Sequence, residues 1–184
     1  MRTPFRRRIF QVMAMKKERG FSLIELLIVV AIILIIAAIA IPNFLRSKMA
    51  ANESSAVSTM RTINTAEVTY SSTWGSGYSP DLASLGGPAP CTTATSAAAC
   101  LIDPLLSTGA FSKSGYTFAA AGGTPTAGVL VSFETNATPV TVDVTGKRAF
   151  CSDQTGVIRF NTTGAAIGTA PGSCAAGAAV FVGN

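Results

Sequence analysis

Residues 21–41, FSLIELLIVVAIILIIAAIAI, decide the architecture: only Ser22 and Glu25 interrupt an otherwise apolar run. As a helix rising about 1.5 Å per residue the run makes a rod of about 31 Å, which matches a hydrocarbon core of about 30 Å. Such a rod is expected in a membrane. Glu25 is then out of place, because a carboxylate in hydrocarbon costs about 2.5–3.5 kcal/mol at a helix centre and less near an end. Either the acid snorkels to the interface, or it awaits a cationic partner.

Outward from the rod, the charge is unevenly spread. The 184 residues carry a net charge of +5 and no histidine. Seven of the basic residues, Arg2, Arg6, Arg7, Arg8, Lys16, Lys17 and Arg19, lie within residues 1–20 against the single acid Glu18. The remaining chain carries −1. Positive charge ahead of an apolar run marks the side kept in the cytoplasm, so residues 42–184 are expected outside it. With the leader set aside, Lys147 and Arg148 are the one basic cluster, which argues against a specific nucleic-acid partner.

Cys91, Cys100, Cys151 and Cys174 all lie beyond the rod, on the exported side. An even number there reads as disulfides. Three connectivities are possible; the favoured one joins Cys91 to Cys100 and Cys151 to Cys174, because each pair brackets a loop-like stretch. Four unpaired buried thiols are the alternative. Zinc is disfavoured by the absence of any CxxC spacing and of histidine. Catalysis lacks its commonest base for the same reason. No GxxxxGK[ST] or GxGxxG occurs, and Lys113 beside Ser112 and Ser114, like Lys147 beside Arg148, reads as a solvated charge. No enzyme, cofactor or metal is expected.

The junction of KKERG at residues 16–20 with FSLIELLIVVAIILIIAAIAIPNF at residues 21–44 resembles the N-terminus of type IV pilins and the related pseudopilins of type II secretion. The resemblance covers roughly the first 50 residues closely and the remainder only in layout. It implies that a membrane-embedded prepilin peptidase/methyltransferase cuts after Gly20 and methylates the new amine of Phe21. It also implies that Glu25 pairs with that amine on an adjacent identical subunit during filament assembly. One departure is Leu34, where many members have glycine. A leucine favours helix, so melting of the segment between this position and Pro42 is expected to be harder to start. The leader is long for such processing: either translation begins at Met15 or Met13 rather than Met1, or the longer leader simply alters export kinetics. Some secretion pseudopilins bind calcium in the region of Asp143 and Asp153, but these acids are ten residues apart without a DxDxDG pattern. Turn chemistry explains Asp153 equally well.

After Pro42 the chain turns polar but keeps a helical period. Met49, Ala56, Met60, Ile63, Ala66, Tyr70 and Trp74 form one stripe at spacings of three, four or seven. Arg46, Lys48, Glu53, Arg61 and Glu67 are expected in solvent. The whole helix would run about 80 Å with a kink near Pro42. Residues 75–91, rich in Gly and Pro, end it. Residues 78–85, 96–100 and 103–106 allow short helical turns. Strands are expected at 115–119, 129–134, 140–144, 148–151 and 157–160, the last two as a hairpin turning at residues 153–156. Asn52, Asn136 and Asn161 lie in N-x-[ST] contexts, relevant only where glycosylation occurs.

The expected fold is therefore α+β and type IV pilin-like: a long N-terminal helix whose second half packs on an antiparallel sheet of about four strands. Its expected divisions are a cleaved leader (1–20), a transmembrane and filament-core helix (21–41), an amphipathic continuation (42–74), a connecting region (75–114) and a disulfide-bounded sheet (115–184). The expected function is a pilus subunit stored in the inner membrane, with its C-terminal domain periplasmic, then extracted by an assembly platform into a filament. A type II secretion pseudopilin is the alternative, and a membrane-anchored binding domain or enzyme a remote one. The cysteines near the C-terminus favour the pilus.

Overall fold

The computed structural model describes residues 20–177 and 180–181, so the basic leader with Met1, Met13 and Met15 lies outside the described residues. The chain divides after Ile41 into two compact units. Helix α1, Leu23–Trp74, is assigned without interruption, with Pro42 inside it. Among the described residues it is the helix long and apolar enough to cross a membrane, and nothing in its apolar window is buried.

In the first unit the helix has no core to join. Phe21 is 84 % exposed, and the isoleucines, leucines and valines behind it are exposed in turn. Water does not tolerate so long an uncovered apolar rod, and lipid or a bundle of like rods does. Proline supplies no N–H, so at Pro42 the helix ladder lacks the bond to the carbonyl of Ala38.

The second unit is built on the stripe. Ala56, Met60, Ile63, Ala66 and Tyr70 are buried, and Trp74 packs at the edge of the same cluster. Two of the expected solvent residues are not in solvent: Glu53 and Glu67 are buried. The correction is geometric. Residues 49, 53, 56, 60, 63, 67, 70 and 74 repeat at alternating steps of four and three, so both acids lie on the stripe itself.

Beyond α1 come α2, Leu82–Leu85, capped by the Asp81 carboxylate accepting from the Ser84 N–H at 2.8 Å, and a 3₁₀ turn, Pro104–Leu106, capped by Asp103. Eight strands complete the described unit: β1 Ser112–Lys113, β2 Tyr116–Gly122, β3 Pro125–Thr126, β4 Val129–Leu130, β5 Phe133–Pro139, β6 Ala149–Asp153, β7 Arg159–Asn161 and β8 Val180–Phe181. A short helix, α3 at Ser173–Gly177, precedes β8. The main sheet is antiparallel in the order β1-β2-β5-β6-β7-β8, with β3 and β4 forming a separate ribbon.

Register sorts the sheet into two faces. Phe118, Ala137, Phe150 and Phe160 lie opposite one another across four strands and pack toward the α1 stripe. The neighbouring row on the other face is Ala119, Asn136, Cys151 and Arg159, with Glu134 opposite Asp153 beside it. The hairpin turns at residues 153–156: the Gly156 N–H donates to the Asp153 carbonyl at 2.8 Å, with Gly156 at φ 74°. That left-handed conformation suits glycine.

Two strand expectations differ. The 129–134 segment splits, with β4 ending at Leu130 and β5 opening at Phe133. Residues 140–144 form a turn, not a strand, and their valines are exposed. The main sheet has six strands where about four are expected; β1 and β8 at its edges have two residues each. Because Ile63 is fully buried at the centre of the stripe, Ile63→Ala is expected to cost about 2–5 kcal/mol. The check is the denaturant midpoint of the purified chain at constant m-value; an unchanged midpoint removes the stripe from the core.

Candidate functional site

Just before α1, Gly20 and Phe21 are exposed, and the Leu26 N–H donates to the Ser22 carbonyl at 3.3 Å, opening the helix. The Ser22 N–H in turn donates to Oε2 of Glu25 at 2.9 Å. This is half of a capping box, in which an acid at the third helical position satisfies the N–H of the capping residue. The S-x-x-E pattern at residues 22–25 could have disclosed it. The bond engages one carboxylate oxygen, while an ionised carboxylate offers about four acceptor sites. Glu25 can thus hold its own helix end and still accept a cation. No described residue supplies that cation.

In the second unit, Glu53 accepts from the N–H groups of Lys147 and Arg148 at 2.9 and 3.1 Å and from Arg148 Nε at 2.8 Å. Arg148 also lies over the rings of Phe150 and Phe160, at 5.5 and 4.9 Å from their centroids. Lys147 is solvated as expected, whereas Arg148 is half-buried, held by a ring stack and a buried acid. Burial by itself would raise the Glu53 pKa, but the Lys147 and Arg148 donors outweigh it and hold the carboxyl below its ordinary value. Lys113 is paired with Asp103 at 3.1 Å on the surface.

Glu67 has weaker company. It is 0 % exposed and accepts from the Ser79 N–H at 2.9 Å and the Ser79 hydroxyl at 2.8 Å. Burial drives its pKa up to about 7, against the lowering effect of the Ser79 bonds and with help from the Asp81 charge. On the outer face of the sheet, Glu134 accepts from the N–H groups of Gly172 and Cys174 at 2.7 and 3.2 Å, and Asn136 donates to the Ile167 carbonyl. Desolvation raises the Glu134 pKa despite those bonds. Asp153 is desolvated too, yet Thr155 and Arg159, the latter at 2.8 Å, hold its pKa down.

Cys91 is bonded to Cys100, and Cys151 to Cys174, with Cα separations of 5.7 and 5.6 Å. The second bridge is buried with Ile167 between the outer sheet face and the C-terminal strap. The acids suggested for calcium do not converge: Asp143 stands in an exposed turn and Asp153 is engaged by Arg159. Among the described residues no three His, Cys, Asp or Glu side chains gather as a metal cage. The three sequon amides are all occupied. Asn52 donates to the Thr145 carbonyl at 2.8 Å, Asn161 to that of Ala165 at 3.0 Å, and Asn136 to Ile167 as above.

The prokaryotic N-terminal methylation motif matches residues 15–41. In this segment the chain is similar to type IV pilins. Two curated pilins are similar to part of the chain. The type IV major pilin protein PilA of Myxococcus xanthus is 48% identical over 54 residues, 29% of this chain and 24% of that protein. The type IV wide pilus major component PilA4 of Thermus thermophilus is 56% identical over 39 residues, 21% of this chain and 30% of that protein. The alignments thus cover less than a third of either pilin. No solved structure matches.

The raised Glu67 pKa has a definite sign. The folded state keeps a proton that the unfolded chain releases near the ordinary value of 4.5, so stability falls as pH rises from there to about 7 and then levels. The expected loss is on the order of 3 kcal/mol. Urea midpoints of the purified chain should be higher at pH 5 than at pH 8. Glu67→Gln should flatten most of that slope, with Glu134 accounting for the remainder. An equal slope in the variant removes Glu67 as its source.

Proposed function

We propose that the chain is a structural subunit of a type IV pilus, held in the inner membrane by residues 21–41 with its second unit on the periplasmic side. The observation that carries the proposal is Glu25, an acid in an otherwise apolar, uncovered rod that directly follows a pilin-type leader. A prepilin peptidase/methyltransferase cuts after Gly20, creating an amine on Phe21 and methylating it. Within a bundle of identical rods the environment stays apolar, so little hydrophobic free energy is lost on leaving lipid. What the bundle adds is a cation for Glu25.

The role is structural and not enzymatic. Its partners are the peptidase, identical subunits, an inner-membrane assembly platform and the bilayer, with no specific nucleic acid. The names of both aligned pilins describe major pilus components, and a bridge staples the C-terminal region. Both favour a pilus over a type II secretion pseudopilus.

Removing one partner of a desolvated pair costs about 3–5 kcal/mol. Glu25→Ala should therefore leave a processed, membrane-resident subunit but few filaments in the sheared surface fraction. Normal filament yield from that variant sinks the pairing. Mass spectrometry of wild-type sheared material should find a methylated Phe21 as the first residue; a start elsewhere refutes the cleavage site.

A further inference from the structure

Val140, Val142 and Val144 stand in the turn between β5 and β6, and are 58%, 41% and 61% exposed. The turn is well bonded. The Val140 N–H donates to the Gly115 carbonyl at 3.0 Å, the Val144 and Thr145 N–H groups to the Thr141 carbonyl at 3.2 and 2.9 Å, and the Asp143 N–H to the Gly146 carbonyl at 2.9 Å. The Thr145 carbonyl is tied to α1 through Asn52 at 2.8 Å. Three β-branched apolar side chains are thus held in water by an ordered loop, and such a patch marks a contact surface. Asp143 sits among them, exposed at φ 62°. Among the described residues nothing donates to its carboxylate.

A groove of ≈ 370 Å³ runs along one flank of α1. Thr62, Thr65 and Thr69 line it, and their hydroxyls donate back to the carbonyls of Ser58, Arg61 and Thr65 at 3.2, 2.9 and 2.8 Å. A hydroxyl spent in this way leaves no donor to satisfy, so a threonine methyl can be covered without an unmet polar group. Ala66 and Leu101 add apolar wall. Arg61 is exposed in the same groove, and no described residue accepts from it.

Resting on the subunit reading above, we infer that the Val142-Asp143-Val144 loop of one subunit docks in the α1 groove of a second copy of this chain, with Asp143 against Arg61. Charge complementarity selects this occupant: each surface presents one unpaired charge of opposite sign, Asp143 among exposed valines and Arg61 among threonines, Ser58, Ala66 and Leu101. Loop and groove are different patches of one unit, so their contact is heterologous. Repeated from copy to copy, a heterologous contact builds an open helix when the rotation does not close. The contact is small, and it sets the register of subunits whose main cohesion is the rod bundle.

The test uses the full chain in producing cells, reading sheared filament yield relative to processed subunit in the membrane. Asp143→Arg and Arg61→Asp should each reduce that ratio about tenfold, and the double reversal should return it to within about twofold of the unsubstituted chain. Both disulfides intact on non-reducing gels show that each variant has folded. Normal yield from either single reversal, or a double variant no better than the poorer single, overturns the contact. It is equally overturned if Val142→Ser with Val144→Ser leaves filaments at full yield but strips a membrane or foreign protein from them. Absence of filaments from the unsubstituted chain refutes the subunit reading, and this contact with it.

Discussion

A carboxylate taken out of water must find donors, and the architecture of this chain follows from where those donors come from. Burying an ionised carboxylate without partners costs several kcal/mol, whereas a hydrogen bond to a charged group contributes about 1.5–3 kcal/mol. Glu53 therefore fixes the start of β6 on the helix through the N–H groups of Lys147 and Arg148. Glu67 fixes the segment after the helix through Ser79. Glu134 holds the C-terminal strap on the outer face through Gly172 and Cys174. Each acid reads backbone N–H groups, so each specifies the path of a chain segment and not merely the nature of one neighbour.

The three acids do not end in the same state. Glu53 meets a guanidinium and is held ionised; Glu67 meets only a serine and drifts toward protonation. The stripe between them is apolar and closely packed, and dispersion with apolar burial supplies most of its cohesion. The acids add direction to that cohesion. In the first unit the same demand is met locally, by the Ser22 N–H at the helix start, which leaves acceptor capacity on Glu25 for a charge from another chain. The proposed storage as a single rod and later use in a bundle would need that arrangement: satisfied enough to wait in the membrane, and not so fully satisfied that assembly offers nothing.

The outer face of the sheet follows a second logic. Most of its row is polar or sulfur-bearing, and the strap that covers it is rich in alanine and glycine. Little apolar area is available there to hold two layers together. A disulfide and the Glu134 bonds take that role, the bridge by restricting the unfolded chain. Strand β5, with Glu134, Thr135 and Asn136 all buried, is stable because its neighbours complete those groups.

The sequence by itself determined the rod, the lone acid in it, the helical stripe and the 153–156 turn, because each is a matter of local period or composition. The tertiary structure decided which polar residues on those periods go inside. The 4-3 spacing of residues 49–74 already pointed Glu53 and Glu67 inward, yet acids on such a stripe read as solvated until their donors are visible. Those donors lie as far as 95 residues away. Likewise the alternation of VTVDV suits a strand, and only the bonds that close residues 140–146 into a turn leave its valines in water. Periodicity reports which way a side chain points; whether it meets water, a donor or a second subunit depends on segments that folding brings from elsewhere.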